Sequence, residues 1–155
     1  MFPALRPILN KGGAGRYISR EESVERLHPI AQLHLDLLYR YDGALAGLPV
    51  GEARDRIQAI MPYLRIEAAK VSETVLSLGG TPPQGVERDP ASAASGTEKE
   101  LLQGLLDAEK TFGAALREET DVVHHQERSR AILAHNADAS TSRIDLLRAS
   151  IAALR

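Results

Sequence analysis

The sequence predicts an all-α four-helix bundle with one long crossover between the second and third helices. Four stretches carry apolar residues at alternating spacings of three and four, the repeat that lays one face of a helix against its neighbours. Residues that favour strands are sparse, with aromatic side chains at only 4% of the chain. Glycine and proline gather at Gly47, Pro49 and Gly51 and again from Gly79 to Gly96, so two breaks are punctuated and the second is long. With 155 residues, 43% hydrophobic and 26% charged, the chain suffices for one domain with a real core and falls short of two.

Residues 1–18 read as an N-terminal arm, because Pro3, Pro7, Gly12, Gly13 and Gly15 give turn-forming composition without periodicity. Such an arm is expected to lie on the body or on a partner subunit, leaving 19–155 as the bundle domain. Ser19 followed by Glu22 matches a capping box, in which hydroxyl and carboxylate each satisfy a free amide of the first turn. A short helix is expected there. Pro29 suits a first turn, so the first long helix is expected to restart near His28 and to run to about Ala46. The second should span Glu52 to Leu78 with a kink at Pro62, and Gly79, Gly80, Pro82 and Pro83 stop it. Thr97 and Glu100 repeat the capping box and open a third helix ending near His125. The fourth should run from Glu127 to Leu154, facing inward with Leu133, Ala137, Ser140, Ile144, Leu147, Ile151 and Leu154.

Composition narrows the function classes. The 19 basic and 21 acidic residues give no field suited to nucleic acid or an anionic membrane, so neither is expected as a partner. With no cysteine there is no disulfide framework and no thiolate ligation, which fits the cytoplasm. No leader-like segment follows Met1 and no window holds 18 consecutive apolar residues, so export and membrane spanning have no support. The serines lack a recognisable His and Asp constellation, and Gly12-Gly13-Ala14-Gly15 follows no strand. The expectation is a protein without catalytic residues.

The most informative positions are two glutamates. The third-helix stripe reads Leu102, Leu105, Glu109, Phe112, Leu116, and the second reads Ile57, Ile60, Leu64, Glu67, Val71, Thr74, Leu78. Each is apolar except near its middle. A carboxylate is tolerated there only if protonated, paired with a cation, bound to a metal, or turned toward solvent or a subunit interface.

Across residues 28–154 the layout of two helical hairpins with a long link, and the terminus Leu78-Gly79-Gly80-Thr81-Pro82-Pro83, resembles the ferritin-like superfamily of small bacterial bundle proteins. The resemblance implies a dinuclear iron site built from one Glu on the first helix, Glu-x-x-His on the second, one Glu on the third and Glu-x-x-His on the fourth. Carried over residue by residue, Glu67 and Glu109 match. Lys70 stands where the second-helix histidine belongs, Arg40 takes the first-helix ligand position in Leu37-Leu38-Tyr39-Arg40-Tyr41-Asp42, and Asn136 and Ala139 replace the fourth-helix pair. A shift of one residue there offers His135 and Asp138 instead.

The substitutions place two cations beside two carboxylates. The leading expectation is therefore a degenerate diiron site replaced by an internal salt-bridge cluster of Arg40, Glu67, Lys70 and Glu109, with no cofactor. The function expected is that of an oligomerising or binding module. The alternative is a protein that binds iron or manganese through Glu67, Glu109, His135 or Asp138, with a ferroxidase or oxidative-stress role. His34, on the inward stripe with Leu27, Leu38, Tyr41 and Leu45, reads as a core histidine bonded to a neighbour, and His124 and His125 read as cations near a helix end. Tyr39 and Tyr41 suit packing or hydrogen bonding near the centre. Leftover apolar positions, Leu33, Leu35, Leu37 and Leu48, suggest a homodimer.

Overall fold

A computed structural model describes residues 16–84 and 94–154. Residues 1–15 of the expected arm and 85–93 of the long link lie outside the described residues. Four helices carry the chain: α1 (Arg20–Gly47), α2 (Glu52–Ser77), α3 (Glu98–Val122) and α4 (Glu127–Ala152). A two-residue parallel ladder joins β1 (Arg16–Tyr17), just before α1, to β2 (Val123–His124), which continues directly from α3. No helix among the described residues is long and apolar enough to cross a membrane.

The caps explain where the helices begin. The Glu22 amide donates to Ser19 Oγ at 3.1 Å, so α1 opens at Ser19. At α3 both halves of the capping box form, with the Glu100 amide donating to Thr97 Oγ1 at 3.2 Å and the Thr97 amide to Glu100 Oε2 at 3.3 Å. The expected restart at His28 does not occur, because α1 runs unbroken through Pro29. Pro29 lies on the exposed face, where the carbonyl left without an amide partner one turn earlier can turn to water. α3 stops at Val122, three residues before the expected end, because Val123 and His124 pair with β1 instead of extending the helix.

Each helix packs on two others, α1 against α2 and α3, and α4 against α3 and α2. Val24 near the start of α1 lies against Gly80 at the end of α2. At the other end the Ala94 amide donates to Gly43 O at 2.9 Å, so α3 begins where α1 finishes. Neighbouring helices are thus antiparallel, and the link between α2 and α3 must travel the length of the bundle, roughly 39 Å for a helix like α2. This is the four-helix bundle with a single long crossover.

The inward faces follow the four-and-three alternation, with two shifts from expectation. On α1 the buried series is Ser23, Leu27, Ile30, His34, Leu37, Tyr41 and Ala44, while Leu38 and Leu45 are only half-buried. Leu37 and Leu48, expected as leftover surface, belong to the core, and Leu33 and Leu35 are half-buried. On α4 the series Ser129, Leu133, Asn136, Ser140, Arg143, Leu147 and Ser150 is buried together with the expected Ile144, and Ala137, Ile151 and Leu154 sit at its edge. The α3 stripe from Leu102 to Leu116 is buried throughout.

Gly47 marks where the returning link meets α1. A Cβ there would overlap the Ala94 carbonyl oxygen and lie 3.3 Å from Leu101 Cδ1. Gly47→Ala should therefore lower stability by about 1–3 kcal/mol in urea denaturation, although alanine is the better helix former.

Candidate functional site

Three helices meet at one carboxylate, and the fourth joins them through an arginine. Glu109 on α3 is fully buried, at 0% exposure. Its Oε1 accepts from Tyr41 of α1 at 2.7 Å and from Arg143 Nε of α4. Its Oε2 accepts from Ser140 Oγ of α4 at 2.8 Å and from a terminal nitrogen of Arg143 at 3.4 Å. Four donors thus converge on the two oxygens, with the arginine bound side-on through two nitrogens. The remaining terminal nitrogen of Arg143 reaches Glu67 Oε2 on α2 at 3.0 Å. One guanidinium therefore lies between the two glutamates and ties α2, α3 and α4 together.

Local sequence makes room for this. Ser140 stands one turn before Arg143 on the same buried face of α4. Gly113 is one turn beyond Glu109 on α3, and a Cβ there would lie only 3.0 Å from Ser140 Oγ, so the glycine lets α4 approach the carboxylate closely. Burial alone would lower the pKa of Arg143, but Glu109 above all, with Tyr41 and Glu67, outweighs it and holds the guanidinium above its ordinary value. The Tyr41 hydroxyl is pushed well above the usual phenol range by burial and then by Glu109, which keeps it a donor at any ordinary pH.

The two expected glutamates are brought together, but by a different cation. Arg40 and Lys70 are both exposed. Arg40 precedes the stripe residue Tyr41 by one position, so Tyr41 points inward and Arg40 lines an outer groove. Lys70 follows Glu67 by three residues on a helix whose inward turn continues at Val71 instead. Arg143, which supplies the positive charge, stands beside Ile144 and was hidden by it. The alternating spacings through Ser129, Asn136 and Ser140 would have exposed it, had the polar stripe of α4 been followed instead of the apolar one. His135 and Asp138 are exposed on α4. His135 Nε2 comes to 3.9 Å from Glu67 Oε1, with 65% of its side chain open to solvent. Of the pair aligned with the fourth-helix motif, Asn136 is buried and Ala139 half-buried.

Among the described residues no group of three His, Cys, Asp or Glu side chains is placed to share a metal. Glu109 already accepts from Arg143, Tyr41 and Ser140, and Glu67 Oε2 from Arg143. The residues present do not fit a dinuclear centre. No protein-family model matches the chain, and neither does any curated protein or solved structure.

Two histidines depart from expectation. His34 is fully buried with its ring 4.7 Å from that of Phe112, and neither ring nitrogen has a hydrogen-bond partner. Burial and then the positive charge of Arg143 pull its pKa down to about 3. His125 is buried beyond the end of α3, with Nε2 2.9 Å from Glu119 Oε1. Glu119 also meets Arg26 at 3.5 Å, so His125 closes a second, smaller polar network between α1 and α3.

Removing Arg143 leaves two carboxylates without a counter-charge in a dry centre. Arg143→Ala should cost roughly 3–5 kcal/mol in chemical denaturation, against less than about 0.5 kcal/mol for Arg40→Ala on the surface. For His34 the folded pKa lies below the unfolded value, so the unfolded chain takes up the proton first as pH falls. Stability is complete above about pH 6.5 and is lost on acidification toward the folded value. Between pH 7 and 4.5 the loss from this group is about 3 kcal/mol, and His34→Gln should remove it from the difference between urea curves at the two pH values.

Proposed function

We propose that this chain is a non-catalytic bundle of ferritin-like ancestry, with an arginine in place of the dinuclear centre, that works by associating with protein. The observation that carries this is the position of Arg143, whose guanidinium bonds Glu67 and Glu109 at once. In a ferritin-like protein these two positions would lend oxygens to metal ions. Here a covalently attached cation takes that role, with directional bonds and no redox capacity. The lack of cysteine suits a reducing compartment, and the cytoplasm is the proposed location.

Association with a second copy is the first partner we put forward. Tyr63 and Ile66 stand one turn apart on α2 at 68% and 54% exposure, two large apolar side chains on one outward face. Their place differs from the leucines that the sequence pointed to, of which Leu37 and Leu48 belong to the core and Leu33 packs against it.

Metal content tests the reading directly. Protein purified without chelator, incubated with excess ferrous iron and desalted should carry far less than one equivalent of iron or manganese by mass spectrometry. Stoichiometric metal that disappears in Glu67→Gln with Glu109→Gln would overturn it and favour an iron- or manganese-binding protein with a rearranged site.

A further inference from the structure

A groove runs along the outside of the bundle between α1 and α3, in two stretches of about 390 and 410 Å³ that meet at Leu33. Its floor includes Ile30, Leu33, Leu37 and Ala115. Its rim is acidic, carrying Glu25, Asp36, Asp107 and Glu118, and across its full length five carboxylates face two guanidiniums. Both of its ends and its charge bear on what covers it.

We infer that the groove is the docking site of this chain's own N-terminal segment, residues 1–15. The ladder supplies the direction. β1 runs parallel to β2, and β2 continues from α3, so stepping back from Arg16 follows the same course as stepping back from Val123 into the last turn of α3. Val122 in that turn borders one end of the groove. The segment is therefore delivered to the entrance. Its length also suffices: from Val122 back to Gly104 at the far end the groove spans roughly 27 Å of helix, while 15 extended residues reach about 50 Å. Pro3 and Pro7 favour an extended course.

The chemistry is complementary. Residues 1–15 contain Arg6 and Lys11 and no acidic side chain, together with Phe2, Leu5, Ile8 and Leu9. Basic groups would meet the carboxylate rim while apolar side chains cover the floor. A second copy of the groove is a poor occupant, because two surfaces of the same negative sign would face each other.

The chain has no cysteine, so one introduced thiol carries a nitroxide at a chosen place. Gly104→Cys is suitable, since it lines the far end of the groove and a Cβ there meets nothing within 4 Å. In full-length protein the expected result is paramagnetic loss of the amide signals of residues 2–9 other than the prolines, with the helix amides remote from the label reporting an intact fold. Glu25→Lys with Glu118→Lys should restore those signals, and adding Arg6→Glu with Lys11→Glu should bring the loss back. Signals of 2–9 that are unaffected by the label, or a loss insensitive to the rim reversal, would overturn the proposal. So would a loss seen only when labelled chain is mixed with separate isotope-enriched chain, which would assign the groove to the segment of a second copy.

Discussion

Everything in the bundle centre depends on one desolvated carboxylate being met by four donors at once. Glu109 has no access to water, so its charge must be compensated within the protein. The donors come from Tyr41, Ser140 and Arg143, on two helices that flank α3. Moving α4 by one turn would bring Ser140 or Leu147 to the level of Arg143 and strand the carboxylate. The same holds for α1, where the residue one position before Tyr41 faces solvent. The arrangement is thus a selector of helix register more than a source of net stability, since apolar residues of similar volume could pack as well. A network of this kind tolerates few intermediate arrangements, because a partly satisfied set of buried polar groups is worse than none.

The pairing also shapes what surrounds it. Two carboxylates share one guanidinium, and the unequal count is eased at Glu67, which sits at the margin with 7% exposure and has His135 nearby on the solvent side. The positive charge acts in the other direction on His34, which remains neutral against Phe112. The polar centre therefore has a charged part around Arg143 and an uncharged neighbour in His34. The charges around Glu109 are compensated within the protein, and this is why the proposed role lies at the surface.

How much of this could be read from the residues varied by helix. The α3 stripe was legible because Glu109 has apolar residues on both sides at the right spacings, so no other register is plausible. On α1 the stripe was right at Leu27, His34 and Tyr41, and only the family alignment moved attention one place to Arg40. α4 was read correctly at Leu133, Ser140, Ile144 and Leu147 and missed elsewhere for a physical reason. It carries two interleaved stripes, an apolar one through Ala137 and Ile151 and a polar one through Asn136 and Arg143, and at those positions burial followed the second. Hydrophobic periodicity cannot choose the polar stripe, because the choice is made by the carboxylates across the core. Pro29 misled similarly, since a proline on an exposed face interrupts the ladder without ending the helix.

The spacing of the cluster along the chain divides its charges unequally between the two hairpins. Arg143 and Glu109 are 34 residues apart within one hairpin, whereas Arg143 and Glu67 are 76 apart and belong to different hairpins. The α3–α4 pair therefore holds both the buried carboxylate of Glu109 and its counter-charge. The α1–α2 pair brings a carboxylate and a phenol that find partners only on docking. The two halves are unequal collaborators: one carries its own counter-charge and borrows only a phenol, and the other depends on its partner to pair Glu67.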